Sequence, residues 1–343
     1  MKRCLLLLLS LFVFAVPATA GAAITFGAQT GGEFINQYRG AWSQTKVMND
    51  LTSLYKAGGR VGRGDSDWRN AEPKAPRHGR HTYNWKFDDM TVSELAAAHL
   101  RFEPTLAYAP RWAEVHRSNV LHLQSGRAIA YLPPAHNSDF AAYATAFMKR
   151  YGPNGAFWKA KENRGLPKLP VTTVEVWNEP DNIHDWGKAI NLSDYARMYE
   201  VVRTAVHRVD RHARVMTGGL AWTESSLPRF LKAFRGKPID AMGIHPYGST
   251  PSQSVKVASD ALAIMRRYGR GGTPVSANEY GWTSIRNTWG STNPRHVKPY
   301  AYQALVGLAK LRLFEIVPFG WGDPSWGLTT GSYAQALKKI QHR

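Results

Sequence analysis

Eight times along this chain a short apolar or β-branched run is followed by a stretch whose apolar residues repeat with helical spacing. The predicted strands cover residues 24–28, 60–65, 101–108, 171–176, 214–219, 240–247, 273–279 and 314–320. The predicted helices cover 46–55, 87–100, 139–151, 193–209, 227–234, 254–268, 300–312 and 333–340. Val47, Leu51 and Leu54 share one helical face, and Val255, Ala258, Leu262 and Met265 share another. Strand and helix in strict alternation, with no linker or low-complexity segment, imply a parallel sheet with its crossover helices outside. Eight such units in one chain of this length predict an α/β fold of the closed (β/α)8 TIM-barrel type, running from residue 21 to 343. An open doubly wound sheet would carry a glycine-rich phosphate loop after its first strand, and none is present.

The first residues read as a separate unit. Lys2 and Arg3 precede an apolar stretch from Leu5 to Val16, and Ala18-Thr19-Ala20 has the small residues of a cleavage site. Residues 1–20 are therefore expected to be a secretory signal peptide, and the protein to be secreted. No later run is long and apolar enough to predict a transmembrane segment. Cys4, the one cysteine, lies inside this leader. A mature chain without disulfides must rely on its packed core, for which a hydrophobic content of 43% suffices. The net charge of +19 comes from Lys and Arg scattered along the chain, so it reads as surface character. It leaves an anionic substrate open, while nucleic-acid binding would rest on charge alone and is not expected. A monomer is expected.

In a (β/α)8 barrel the chemistry sits at the C-terminal ends of the strands. There the fourth predicted strand, Val171 to Val176, ends in Trp177-Asn178-Glu179-Pro180. Pro180 cannot donate to a ladder and marks the strand's end. The seventh ends in Ser276-Ala277-Asn278-Glu279-Tyr280-Gly281. Arg63, Trp112, His245, Tyr247 and Trp321 fall at other strand ends or just beyond them. Charged groups at the mouth of buried strands are costly unless solvated, paired or used. Two carboxylates facing one cleft suit glycosidic cleavage, where one is a proton donor and the other a nucleophile or base. Trp112, Trp321 and Trp326 are candidate platforms for sugar rings. His116, Arg117 and His122, after the third strand, read as a solvated loop. No His-Glu-x-x-His and no Gly-x-Ser-x-Gly occurs, so neither a metal site nor a serine hydrolase is predicted, and no cofactor.

The Trp177-Asn178-Glu179-Pro180 segment resembles the acid/base motif of glycoside hydrolase clan A, and Asn278-Glu279-Tyr280-Gly281 resembles its nucleophile motif. His245-Pro246-Tyr247 is similar to the clan's His-x-Tyr element, and Arg63 to its arginine beside the nucleophile. Trp68, Glu72-Pro73 and Tyr83-Asn84-Trp85 add to the likeness, which spans most of the chain and is nearest to family 39 and family 5-like members. The resemblance implies Glu179 as general acid/base and Glu279 as nucleophile of a retaining enzyme acting on an oligo- or polysaccharide. It implies Asn178 on the sugar 2-hydroxyl, and Arg63 and Tyr247 bonded to Glu279. Asn278 departs from the pattern, since many relatives carry a threonine or another small residue before the nucleophile. The alternatives are an inactive carbohydrate-binding barrel and a basic cell-envelope binder.

Overall fold

The computed structural model describes residues 23–115, 131–286, 290–326, 328 and 330–341. The expected leader and the loop residues His116, Arg117 and His122 lie outside the described residues. Eight strands are present: β1 (Thr25–Gln29), β2 (Val61–Asp67), β3 (Arg101–Ala107), β4 (Thr173–Val176), β5 (Arg214–Thr217), β6 (Met242–Ile244), β7 (Val275–Ala277) and β8 (Glu315–Ile316). Their order is β5-β4-β3-β2-β1-β8-β7-β6, and every pairing is parallel. Parallel bridges Met216↔Ala241 and Leu220↔Ile244 join β5 to β6 and close the ring. The result is the (β/α)8 barrel that the alternation predicts.

Each predicted helix is found, with shifted ends. The seventh begins at Pro294, not at 300. Asn293 caps it by accepting from the Arg295 N–H, Pro294 takes the first helical position, and Pro299 lies inside. The helix Thr223–Ala233 likewise contains Pro228. The helix Gly31–Tyr38, which follows β1, was not expected, because two glycines at its start mask the signal.

The helices pack their apolar faces around the barrel, and the resulting core runs from Phe34 and Leu51 to Leu305 and Leu337. The barrel's own interior is different. A single glutamate interrupts three strands, at Glu103 on β3, Glu175 on β4 and Glu315 on β8, and all three are buried. Side chains alternate along a strand, so Val174 and Val176 face the helices and Glu175 faces the barrel axis. Burial holds both Glu103 and Glu315 above the usual carboxylate range; the Glu315 charge adds to the rise at Glu103, while bonds from Glu103 and from the Ser276 hydroxyl, at 2.9 Å, partly offset it at Glu315. Most barrels of this kind fill their interior with branched apolar residues. Here a polar layer supports the mouth.

Candidate active site

The end of β4 turns sharply. Trp177 has φ +67° and Glu179 has φ +40°, conformations that residues other than glycine rarely adopt. Each costs about 1–3 kcal/mol and persists where the surroundings over-determine it. Those surroundings are present: the Trp177 ring is fully buried and its indole N–H donates to the Asp185 carbonyl at 2.7 Å. Asn182 closes the turn by donating its side-chain amide to Glu179 Oε2 at 2.6 Å and its backbone N–H to the Glu179 carbonyl at 2.9 Å. The turn projects Glu179 over the barrel mouth.

Glu175 anchors the other half of the site. Its carboxylate accepts from Arg63 Nε at 2.8 Å, Thr105 Oγ1 at 2.7 Å, the Gly219 N–H at 2.8 Å and Asn278 Nδ2 at 2.7 Å. Burial pushes this carboxyl up, but the Arg63 charge and these donors hold it below its ordinary value. Arg63 is thereby fixed, and it spends its remaining donors upward: Nη1 to Glu279 Oε2 at 3.0 Å and Nη2 to Asn178 Oδ1 at 3.2 Å. Tyr247 donates its hydroxyl to Glu279 Oε1 at 3.0 Å. Asn278, the departure noted in the sequence, spends its amide on Glu175.

His245 links the two carboxylates. Its Nδ1 is 2.8 Å from Glu179 Oε1, and its Nε2 is 3.8 Å from Glu279 Oε2. Burial alone would lower the imidazole pKa, yet the charge of Glu279 and the bond to Glu179 raise it above its ordinary value. Burial would raise Glu179, but the bonds from His245 and Asn182 and the Arg63 charge leave it lowered. In the free site the proton of this pair therefore sits on the imidazole. The close approach depends on Gly219, where an added Cβ would lie 2.1 Å from His245 Nε2.

One carboxylate oxygen of Glu179, one of Glu279 and a ring nitrogen of His245 lie within 4.8 Å of one another across the mouth. Such spacing also suits a small cation, and Arg63, shared between Glu175 and Glu279, already brings a positive charge to the latter. A cavity of about 390 Å³ opens above them, walled by Asn178, Asp185, Ala221, Phe319 and Trp326 among others. No Lys or Arg is among the described residues that line it.

Six of the eight residues predicted for the site meet here: Arg63, Asn178, Glu179, His245, Tyr247 and Glu279. Trp112 and Trp321 do not line the cavity. Trp112 donates its indole N–H to the Glu72 carbonyl at 2.9 Å and packs edge-on against Trp68 at 5.5 Å. Trp321 is 3% exposed and donates to the Asp50 carbonyl at 2.8 Å. Both fill the rim from behind, and Trp326 is the tryptophan that faces the cavity. Sequence reasoning missed Glu175, Asp181 and Asp185. Asp181 accepts from the Ala221 and Trp222 N–H groups at 2.9 and 3.0 Å, which ties the β5 loop to the β4 turn. Asp185 lies between Tyr108 and Asn178, and burial together with the Glu179 charge holds its carboxyl well above the usual range. The signal for Glu175 was available, as a lone charge inside an apolar strand.

No family model matches this sequence. It is 37% identical over 176 residues to a curated beta-xylosidase of Geobacillus stearothermophilus, a stretch that covers 49% of this chain and 31% of that protein. The chain thus spans about a third of the length of that relative. Among solved structures, the GH39 enzyme of Xanthomonas axonopodis pv. citri superposes with TM-score 0.66 at 15% identity, over 93% of this chain and 68% of that one. A glycoside hydrolase family 5 mannosidase of Rhizomucor miehei superposes with TM-score 0.58 at 16% identity, over 94% of this chain and 95% of that one. What these likenesses establish is that the chain has the (β/α)8 fold on which family 39 and family 5 glycoside hydrolases are built.

Proposed function

We propose that this protein is a retaining glycoside hydrolase that cleaves by two-step displacement. The observation that carries the reading is that one carboxylate oxygen of Glu179 and one of Glu279 lie within 4.8 Å of each other. Retaining enzymes hold their pair about 5–5.5 Å apart, whereas inverting ones leave about 6.5–9.5 Å for a water. The two environments also differ in kind. Glu279 is clamped by Arg63 on one carboxylate oxygen and Tyr247 on the other, which orients it for attack on the anomeric carbon. Glu179 shares a proton with His245, so the proton needed by the leaving oxygen is one transfer away. Departure of the leaving group gives a glycosyl ester on Glu279. Glu179 then accepts a proton from the incoming water, whose oxygen attacks the same carbon and releases Glu279.

The lining of the cavity is acidic, which favours a neutral sugar over a uronic acid. The +19 charge then belongs to the surface outside the cleft. The curated relative is a beta-xylosidase, so β-xylosides are the first substrates to try. The reading extends to a monomer acting outside the cell, the latter on the character of residues 1–20. No helix among the described residues is long and apolar enough to cross a membrane. The test is a pair of variants assayed on aryl β-glycosides. Glu179→Gln and Glu279→Ala should each lower kcat by orders of magnitude without loss of fold, and azide should restore turnover of Glu279→Ala as the inverted glycosyl azide. Near-full activity in both variants would sink the proposal. An inactive carbohydrate-binding barrel would bind glycans without turnover.

A further inference from the structure

We propose that Asp185 is a positioning residue, which holds the Asn178 amide at the angle from which it bonds the 2-hydroxyl of the sugar being cleaved. The proposal rests on the glycosidase reading and on the contact with that hydroxyl that the resemblance implies for Asn178. An asparagine side chain has an accepting end and a donating end, and its neighbours decide which way it points. Arg63 can only donate, so the bond from its Nη2 at 3.2 Å fixes Asn178 Oδ1 on the β2 side. Asn178 Nδ2 then donates to Asp185 Oδ1, also at 3.2 Å. One N–H of the amide is used there. The other is left for a substrate in the cavity, which Asn178 and Asp185 both line. Arg63 alone would hold the amide at one atom and leave it free to swing. Asp185 supplies the second point.

Asp185 is itself held from several sides. Its backbone N–H donates to the Asn182 carbonyl at 3.1 Å, and its carbonyl accepts from the Trp177 indole at 2.7 Å. The Tyr108 hydroxyl donates to Oδ1 at 3.3 Å. The Tyr108 ring is kept in place by stacking on Tyr131 at 3.9 Å and by an edge-on contact with Trp177 at 5.4 Å. Asn182, which accepts from Asp185, also bonds the Glu179 carboxylate. One turn, residues 177–185, thus ties the angle of Asn178 to the placement of Glu179.

The holding group is an oxygen, not a charge. Burial first, and then the charges of Glu179, Glu279 and Asp65, keep the Asp185 carboxyl well above the usual range, with only the Asn178 bond acting against them. The group that faces Asn178 is therefore the neutral acid. Both of its bonds fall on Oδ1, which leaves the proton to Oδ2. An asparagine at this position would reproduce the accepting oxygen, with an amide in place of the acid's O–H. An alanine would remove the oxygen and leave Asn178 Nδ2 without its protein partner.

The test measures kcat/KM on two activated aryl β-glycosides, one of a sugar that the unaltered enzyme hydrolyses and one of its 2-deoxy analogue. Bonds to the 2-hydroxyl strengthen in the transition state. Asp185→Ala should therefore lower kcat/KM about 30-fold or more on the parent sugar, the scale of a small misplacement at the reacting centre. On the 2-deoxy sugar, where Asn178 has no hydroxyl to meet, the loss should be about threefold or less. Asp185→Asn should recover most of the loss on the parent sugar. The ratio of the two substrates within one preparation does not depend on the fraction of protein that folds. Equal losses on both substrates in Asp185→Ala would overturn the proposal, since a general support of the site would act on either sugar. A loss in Asp185→Asn as large as in Asp185→Ala would overturn it too, by showing that charge does the holding. Both results leave the glycosidase reading standing. Absence of turnover of every aryl glycoside by the unaltered protein would overturn that reading and the proposal with it.

Discussion

Replacing Glu175 with glutamine preserves size and removes the charge that holds Arg63. Four donors converge on this carboxylate, and a glutamine has one acceptor oxygen and one donor amide. If the oxygen keeps the Gly219 and Asn278 bonds, the amide is turned toward Arg63 Nε and the Thr105 hydroxyl. A buried guanidinium then loses one of its two anionic partners. Breaking a buried pair from one side costs about 3–5 kcal/mol. Unfolding entropy of about 2.1 cal/mol/K per residue, over roughly 320 folded residues, gives about 0.7 kcal/mol/K, so Tm should fall by about 4–8 °C. Arg63 also orients Glu279 and Asn178, and a displacement of about 1 Å there should lower kcat about 100-fold. Calorimetry and steady-state kinetics on one preparation measure both effects. A Tm change within about 1 °C together with unchanged kcat would show that Arg63 does not depend on Glu175, and the account of the site's support would be wrong.

Gly219→Ala places a methyl 2.1 Å from His245 Nε2 and 2.9 Å from Asn278 Oδ1. It should cost about 1–3 kcal/mol of stability and a larger share of activity than a surface Gly→Ala change, read by urea unfolding and kcat. Trp326→Ala should raise KM with little change in Tm, while Trp321→Ala, which empties a buried position, should lose about 3–5 kcal/mol of stability; the opposite assignment would return Trp321 to the cavity. Stability should fall as pH rises from about 5 to 9. Burial raises Asp65 and Asp88 to about 7 and Glu33 to about 9, so the native state keeps protons that the unfolded chain has already released near pH 4. His245 acts in the same direction, since its raised pKa gives stability that is lost as pH rises through the folded value. Glu175 and Glu179, both lowered, oppose this only at acid pH, where their stabilisation disappears. A Tm that climbs steadily between pH 5 and 8 would contradict the assignment.

The fold was legible because eight apolar runs alternate with eight amphipathic stretches, and that period admits few topologies. The candidate catalytic pair was legible for a related reason: a carboxylate just past a buried strand has nowhere to go but the barrel mouth. What supports the pair was harder to see. Glu175 is a lone charge inside Thr173-Val174-Glu175-Val176, a signal that stood within the strand and not past its end, where the candidate site residues cluster. Asp185 lies in the short helix Ile183–Trp186, too brief to carry a period. The tryptophans show the opposite difficulty. Whether an indole lies behind the wall or faces the cavity depends on one backbone turn, and no spacing distinguishes Trp321 from Trp326.

The central claim is that Glu279 attacks the sugar directly while Glu179 moves the proton. The most direct measurement is proton NMR of the sugar as it is first released from an aryl β-glycoside by the unaltered enzyme, before mutarotation. The account predicts that the β anomer appears first. Initial release of the α anomer would mean that water attacks in a single step, and the short distance between the two carboxylates would need another explanation.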